Sequence, residues 1–386
     1  ATNFVTNDRP RFDDSASSGA VELIGVLAPA QLTVDNSFLD YTFHGTGSLA
    51  GAADLTKTGT GRLTLALADS RTGRTTVTGG PLQIGTANAA GSLAGDVTIE
   101  FGAALDILNG SVAGDVSVNG SSLSITDGTL GGNLALTGGG QLTFNGSSAI
   151  SYAGTISGDG TISNDGPGTF TAAGSSTGFT GAVIVNAGTF VVDDLGAGGD
   201  LNAATITVNN TGTFVFGPNG NPDLPADTFI TTNLGGRTEL RIAENFGGVI
   251  LDGGDLVFAG DFRSGINLTV QQDGGLDFRS GTVTTEFTNV ANGGVLNRGG
   301  STITFEKTTD GTVVLGPGVS IGAAIPVSVH EGTLAIDVAA LQAANVGEYL
   351  LGDIGPATLR VDGAGTGTRA SYTLIGSSGG TFDIAN

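Results

Sequence analysis

One short pattern recurs along almost the whole chain: a glycine at a turn, followed by polar and apolar residues that alternate. Clear examples are the segments Gly61–Leu65, Gly95–Ile99, Gly114–Val118 and Gly132–Leu136. Alternation with a period of two places every second side chain on the same face of an extended strand. The pattern therefore predicts many short strands, each with one buried face and one solvated face.

These strands repeat at a nearly constant spacing. Two interleaved series advance in steps of 18 or 19 residues: Val97, Val116 and Leu134, and Leu105, Leu123 and Leu142. Repeats of about 18–24 residues are shorter than helical repeats or propeller blades, and they fit one turn of a parallel β-helix. The predicted fold is all-β, a parallel β-helix (β-solenoid) in which each complete turn, called a coil below, has about 18–24 residues.

A third series predicts an aromatic ladder. The triplet Gly-Thr-Phe recurs in steps of 20 and 24 residues and ends on Phe170, Phe190 and Phe214. Equivalent positions of coils that stack in register lie above one another, so we expect these three rings to form a ladder in the core. The alternative is a chance match in a chain rich in Gly and Thr, but the repeated apolar alternation around the triplets favours the ladder.

The pattern divides the chain into three segments. Residues 1–30 break the pattern and are predicted to form an N-terminal cap or a strand that pairs with another subunit. Residues 31–336 are predicted to form the β-helix, with a proline-containing loop over 217–235. Residues 337–386 are predicted to complete the solenoid with a short helix, from an N-cap at Asp337 to a stop at Gly347, and C-terminal strands.

Composition narrows the function. The 386 residues include 68 Gly but no collagen period, and only 13% are charged. The net charge of −22 argues against nucleic acid or anionic lipid as a partner, because both require clustered Lys or Arg. Cys and Met are absent, which suits an extracellular protein and, with Ala1 at the start, predicts that a leader has been removed. No apolar run approaches about 18 residues, so no transmembrane segment is predicted.

Several segments resemble a known repeat of large secreted bacterial proteins. The autotransporter-associated β-strand repeat is similar to Phe12–Ala16, Leu32–Asn36, Tyr41–Gly47, Leu55–Leu65 and Gly79–Gly85. The sequence LTKTGTGRLTL over Leu55–Leu65 is the most specific of these, and the close match covers about residues 12–110. The resemblance implies a right-handed parallel β-helix that is exported to the surface of a Gram-negative-type bacterium. The family has no common catalytic residues.

A catalytic role has to be considered because several parallel β-helices act on polysaccharides. His44 and His330 lie many coils apart, so local spacing assembles no nucleophile–base pair around either. Four arginines are spaced near the coil period, and they favour a ladder of exposed ion pairs, with a polysaccharide groove as the alternative: Arg237, Arg241, Arg263 and Arg279. No catalytic residue is predicted, and the chain is predicted not to be an enzyme.

Cofactor signals are weak. Asp193, Asp194 and Asp200 lie on glycine-rich turns, where hard oxygen ligands could hold calcium. The nonapeptide repeat of calcium-binding solenoids is absent. No other cofactor is predicted, and calcium stays a candidate for these three residues alone.

The ends of the chain lead to the predicted function. Neither end resembles a polar cap, and an uncovered solenoid edge favours further pairing. We therefore expect head-to-tail stacking into an extracellular fibre, with the chain itself as the main partner and other surface or matrix components as further ones. The inter-subunit candidates are Phe4, Val5, Phe12, Tyr372, Leu374, Phe382 and Ile384. A monomeric surface adhesin passenger is the alternative, and a polysaccharide-active enzyme is the third hypothesis.

Overall fold

A computed structural model gives the fold of the chain. It describes residues 6–193, 199–217, 224–241, 247–258, 266–270, 274–278, 287–288, 295–299, 302–307, 312–315, 327–337, 349–351, 355–362 and 379–384. These residues form strands and turns, and the described part contains no helix. The helix predicted after Asp337 lies outside the described residues. The strands pair in parallel sheets that stack as a β-solenoid, which confirms the predicted fold.

The chain divides into two compact units, residues 1–183 with 195–202, and residues 184–194 with 203–386. The first unit contains three main sheets, each built from one strand per coil. The first sheet contains Arg11–Asp13, Leu32–Asp35, Leu55–Thr58, Thr75–Val77, Val97–Ile99, Val116–Asn119, Leu134–Thr137 and Ile156–Gly158. The second sheet contains Ala20–Leu23, Tyr41–Gly45, Leu63–Leu65, Gly80–Ile84, Ala103–Leu108, Ser122–Thr126, Gln141–Phe144 and Thr161–Asn164.

The third sheet of the first unit is narrower. It contains Val26–Leu27, Ser48–Leu49, Ala68–Asp69, Gly91–Leu93, Gly110–Val112 and Thr129–Leu130. Two further strands of this unit, Ala149–Tyr152 and Thr169–Ala172, pair in parallel with each other. The strand Ala182–Val185 contains the boundary between the units.

The second unit continues the same strand-and-turn arrangement. One parallel sheet contains Thr205–Val208, Phe229–Asn233, Gly248–Asp252, Ile266–Val270 and Phe287–Thr288. A longer one contains Thr189–Val192, Thr213–Phe216, Arg237–Leu240, Asp255–Phe258, Gly274–Phe278, Thr312–Leu315, Gly332–Asp337, Ala357–Asp362 and Gly380–Ile384. The last contains Val295–Gly299, Thr302–Lys307, Val327–Val329 and Tyr349–Leu351, of which the first two are antiparallel.

The strand register confirms the predicted coil period. Val97 pairs with Val116 and Val116 with Leu134, while Leu105 pairs with Leu123 and Leu123 with Leu142. All six side chains are buried. In-register stacking thus places equivalent apolar side chains of successive coils in continuous ladders, which form the core of the first unit.

Two boundaries differ from the expected ones. Arg11–Asp13 already pairs in parallel with Leu32–Asp35, so the regular coil begins about 20 residues before Gln31. The charged residues that flank Phe12 make this strand hard to predict from the sequence, because they occupy its outward positions and leave one apolar residue. The loop predicted over 217–235 also contains the strand Phe229–Asn233, so the loop assignment is wrong for these residues. Its prolines all precede the strand and leave its backbone donors intact.

The three phenylalanines of the predicted aromatic ladder are all buried. In the second unit Phe190 pairs with Phe214, and their rings are stacked with centroids 6.2 Å apart. In the first unit the ring of Phe170 lies 5.9 Å from that of Phe144 and 6.3 Å from that of Tyr152. The structure thus places each ring in the core of its own unit.

The coil formed by residues 55–74 carries a buried cation in its apolar interior. Lys57 occupies the inward ladder between Val34 and Val77 and is 0% exposed. Its Nζ donates to the carbonyl oxygens of Thr58, Gly59 and Gly79 at 2.9, 3.0 and 3.1 Å, which uses all three ammonium protons. Burial lowers the pKa of Lys57 to about 8, although nearby carboxylates oppose the shift.

The same coil buries an ion pair beneath the third sheet. Asp69 replaces an aliphatic residue in the inward ladder between Leu49 and Leu93, and both it and Arg71 are 1% exposed. The guanidinium of Arg71 donates to the carboxylate of Asp69 and, at 2.9 Å, to the carbonyl oxygen of Ala53. The backbone N–H of Arg71 donates to the other oxygen of Asp69. The pair is therefore charge-balanced and hydrogen-bonded, as a buried ion pair has to be.

Candidate interaction surface

The turns that connect the first sheet to the second sheet form a corner of the first unit. In four successive coils this corner consists of residues 36–40, 59–62, 78–79 and 100–102. The backbones approach closely here: a Cβ atom on Gly59 would lie 2.1 Å from the carbonyl oxygen of Asn36, and one on Gly79 would lie 2.9 Å from that of Gly59. Only glycine fits such contacts, so the surface of the middle two coils is recessed at Gly59 and Gly79.

Phe38 stands at the tip of the five-residue turn and is 94% exposed. The carboxylate of Asp14, which lies in the preceding coil, fixes the backbone of this turn. It accepts hydrogen bonds from the backbone N–H groups of Phe38 and Leu39 at 3.0 Å and of Ser37 at 2.9 Å. These bonds, first of all that of Phe38, lower the pKa of Asp14. The exposed ring is thus carried on a turn whose backbone is fixed.

Phe101 occupies the equivalent corner three coils later and is 82% exposed. It lies in a tight turn that is closed by the bond from Ala103 N to Glu100 O at 3.0 Å, with Gly102 at a φ of 81°. The ring covers Gly120 of the next coil: a Cβ atom on Gly120 would lie 2.7 Å from Cδ2 of Phe101. The ring therefore rests on backbone, with most of its surface in solvent.

Hydroxyl groups separate the two rings. Thr60 and Thr78 are exposed on the intervening coils, and their Oγ1 atoms donate to the carbonyl oxygens of Ser37 at 3.2 Å and Lys57 at 3.4 Å. Three coil steps at the strand spacing separate Phe38 from Phe101 by about 14 Å. We call the surface formed by Phe38, Thr60, Thr78 and Phe101 the aromatic corner.

The charged side chains beside the aromatic corner already have partners. Arg62 donates to Gln83 and forms an ion pair with Asp106 at 3.7 Å. Asp40 accepts the backbone N–H of Arg62 at 2.7 Å, and Glu100 accepts Nδ2 of Asn119 at 3.1 Å. Rings, hydroxyls and acids of this kind can bind a molecule, but they do not make a nucleophile–base pair.

Phe38 and Phe101 were not among the functional residues predicted from the sequence, although both side chains are exposed. A signal was nevertheless present, since each residue stands in a turn, outside the alternating strand pattern.

The predicted inter-subunit residues are placed only in part. The ring of Phe12 packs against those of Tyr41 and Phe43, with centroid distances of 5.5 and 4.9 Å, so at least one side of the Phe12 ring contacts core residues. Phe382 and Ile384 lie in the strand Gly380–Ile384, which pairs in parallel with Ala357–Asp362. The remaining candidates, Phe4, Val5, Tyr372 and Leu374, lie outside the described residues.

The calcium candidates are also placed only in part. Asp193 is 4% exposed, and Asp200 accepts a hydrogen bond from Ser175 Oγ at 3.1 Å. Asp194 lies outside the described residues. Where the structure describes the chain, no three or more acidic or histidine side chains are grouped as a metal site requires.

The catalytic candidates show no active-site arrangement among the described residues. Arg237 and Arg241 both form ion pairs with Glu239, at 3.3 and 2.6 Å, and these pairs lie along one coil rather than across successive coils. Arg263 and Arg279 lie outside the described residues. His44 is half-buried on an outward position of the strand Tyr41–Gly45.

We expect Asp14→Ala to loosen the turn that carries Phe38. Loss of the carboxylate leaves the N–H groups of Ser37, Phe38 and Leu39 without their acceptor. Hydrogen exchange of these three amides should accelerate strongly, while amides of the strand Leu32–Asp35 keep their protection. Exchange that stays slow in the variant would show that the turn does not depend on Asp14.

Comparison with known proteins supplies the relatives of this fold. No family model matches the chain. A segment of 203 residues, 52% of the chain, is 30% identical to the adhesin BmaC autotransporter of Brucella suis biovar 1. This chain is an autotransporter-passenger-like β-solenoid. The match spans 5% of the length of that adhesin.

A solved structure was also found. This chain is similar to the crystal structure of a TibC-catalyzed, hyper-glycosylated TibA fragment. The match covers 98% of each chain, and the two sequences are 14% identical. The TM-score of this match is 0.27.

The similarity to a segment of an autotransporter makes this a secreted or cell-surface protein. Among the described residues, no helix is long and apolar enough to cross a membrane.

Proposed function

We propose that this chain is part of a surface adhesin passenger of a Gram-negative-type bacterium, and that it binds its target through the side of the solenoid. The match of half the chain to an autotransporter adhesin carries this proposal. The aromatic corner supports it, because two exposed rings on fixed turns are what a binding surface needs. The role is one of attachment, without catalysis.

The adhesin passenger has more support than the fibre subunit that the chain ends suggested. The relative is an adhesin, whereas head-to-tail assembly rests on the apolar character of the ends alone. Self-assembly therefore stays a prediction. Analytical ultracentrifugation at rising concentration checks it, since a stacking subunit grows with concentration and a passenger segment keeps the mass of one chain.

We expect beads coated with the purified chain to attach to host cells or extracellular matrix, and beads coated with the double variant Phe38→Ala/Phe101→Ala to attach at most a tenth as well. Both side chains are exposed, so their truncation should leave the thermal unfolding midpoint unchanged. Retention of the beads under flow measures attachment.

The matched control for the double variant is Leu234→Ala. Leu234 is 77% exposed at a turn in the second unit, so its truncation removes an equally exposed apolar side chain elsewhere. This variant should attach like the wild type. If wild-type beads attach to no cell type or matrix, the chain is not an adhesive segment.

A further inference from the structure

We propose that the aromatic corner binds an uncharged oligosaccharide that runs along successive coils of the first unit. This inference rests on the proposed adhesive function and names the chemical class of the target. It is drawn from four properties of the corner: the two rings, the hydroxyls between them, the paired backbone and the acidic surroundings.

The two rings provide flat apolar platforms. Phe101 lies against the backbone at Gly120, and the backbone that carries Phe38 is fixed by Asp14, so little of the main chain has to be ordered when a ligand binds. Sugar rings carry one face of C–H groups, which packs on an aromatic ring, and hydroxyls at the rim. Two rings carried on coils three steps apart suit a ligand that repeats such faces along its length.

The groups between the rings match the rims of sugars. Thr60 and Thr78 use their hydroxyl protons on main-chain carbonyls, so their oxygen lone pairs can accept hydrogen bonds from a ligand. Gly59 and Gly79 keep the surface low, which lets a ligand approach the backbone. Sugar hydroxyls can donate to these threonine oxygens and accept from water at the edge.

An extended peptide fits the corner less well. Peptides often bind to a solenoid or sheet by adding a strand to unpaired backbone groups. Here the backbone is already paired between coils: Gly61 N donates to Asn36 O, Thr78 N to Lys57 O, and Glu100 N to Val77 O. A ligand at this corner therefore has to be recognised by side chains, which favours a saccharide.

The local charge selects an uncharged saccharide over an acidic one. Asp40 and Glu100 lie next to the corner, and Arg62, the cation beside it, is already committed to Gln83 and Asp106. The whole chain carries a net charge of −22. Uronate or sialic acid groups would be repelled, whereas a neutral oligosaccharide would not.

The experiment is a glycan array probed with the purified chain, followed by calorimetric titration with the best neutral oligosaccharide. We expect binding to neutral oligosaccharides, weak binding to their monosaccharides, which cannot touch both rings at once, and little binding to sialylated or uronate-containing glycans. Phe38→Ala and Phe101→Ala should each raise Kd by about two- to tenfold, the range for one aromatic contact. Leu234→Ala should leave Kd unchanged.

The outcomes separate this inference from the proposed adhesive function. Equal binding of neutral glycans by wild type and double variant, or a preference for acidic glycans, would overturn the inference. So would attachment of coated beads that needs Phe38 and Phe101 but survives removal of cell-surface glycans by glycosidases, because the partner would then be a protein. In that last case the adhesive function stands, whereas failure of wild-type beads to attach anywhere removes both.

Discussion

Asp69→Ala is expected to lower the free energy of unfolding of the first unit by about 3–5 kcal/mol, because it leaves the buried guanidinium of Arg71 without its counter-charge. Arg71 is 1% exposed, and Ala53 O would be its remaining acceptor within the pair's network. The backbone N–H of Arg71 loses its acceptor as well. Urea unfolding followed by circular dichroism measures the change.

The matched control removes both charges. The double variant Asp69→Leu/Arg71→Met restores an aliphatic residue to the ladder between Leu49 and Leu93 and should cost much less than Asp69→Ala. If Asp69→Ala costs less than about 1 kcal/mol, water or a rearranged Arg71 compensates for the charge, and the buried pair contributes little.

Lys57 should make the protein more stable as the pH rises from about 8 toward 10. The pKa of Lys57 is about 8 in the folded protein and about 10.4 in an unfolded chain. Between these values the unfolded state binds more protons, so stability increases with pH; below pH 8 both states are protonated and the cost of the buried charge is fully present. The expected gain between pH 7.5 and 9.5 is on the order of 1–2 kcal/mol.

Lys57→Met isolates this contribution. Methionine has a similar length and no charge, so the difference in stability between wild type and variant should change with pH as Lys57 titrates, while all other groups cancel. Measurements should stop near pH 9.5, because burial raises the pKa of Tyr41 and Tyr152, whose ionisation on unfolding lowers stability at higher pH. A difference that stays constant from pH 7.5 to 9.5 would contradict the lowered pKa of Lys57.

The coil could be predicted from the sequence because its information is local. Period-two alternation fixes which side chains face inward, and a steady step from Val97 to Val116 to Leu134 fixes which residues stack. The same period-two pattern did not predict strands that carry charges or follow prolines. Arg11–Asp13 and Phe229–Asn233 were both missed as coil strands, since the neighbouring turn and charge signals outweighed one apolar position in the first strand and two in the second.

The candidate site was harder to predict, because exposure depends on the neighbouring coil. Phe101 is exposed because Gly120, 19 residues later, gives its ring a flat surface to rest on. The turn that carries Phe38 is held by Asp14, 24 residues earlier. Lys57 shows the opposite case: it stands at an inward position of the motif, but its burial depends on the carbonyl group of Gly79 in the next coil.

The polar groups inside the coil of residues 55–74 have a consequence for how the chain finds its native pairing. Neighbouring coils of the first unit are so alike that an apolar ladder alone would tolerate a coil docking one step out of order. Lys57 requires the glycine carbonyl of the following coil, and Arg71 requires Ala53 O of the preceding one. A misplaced neighbour would leave a buried charge without its acceptor, so we expect the polar groups of this coil to favour the native order of stacking.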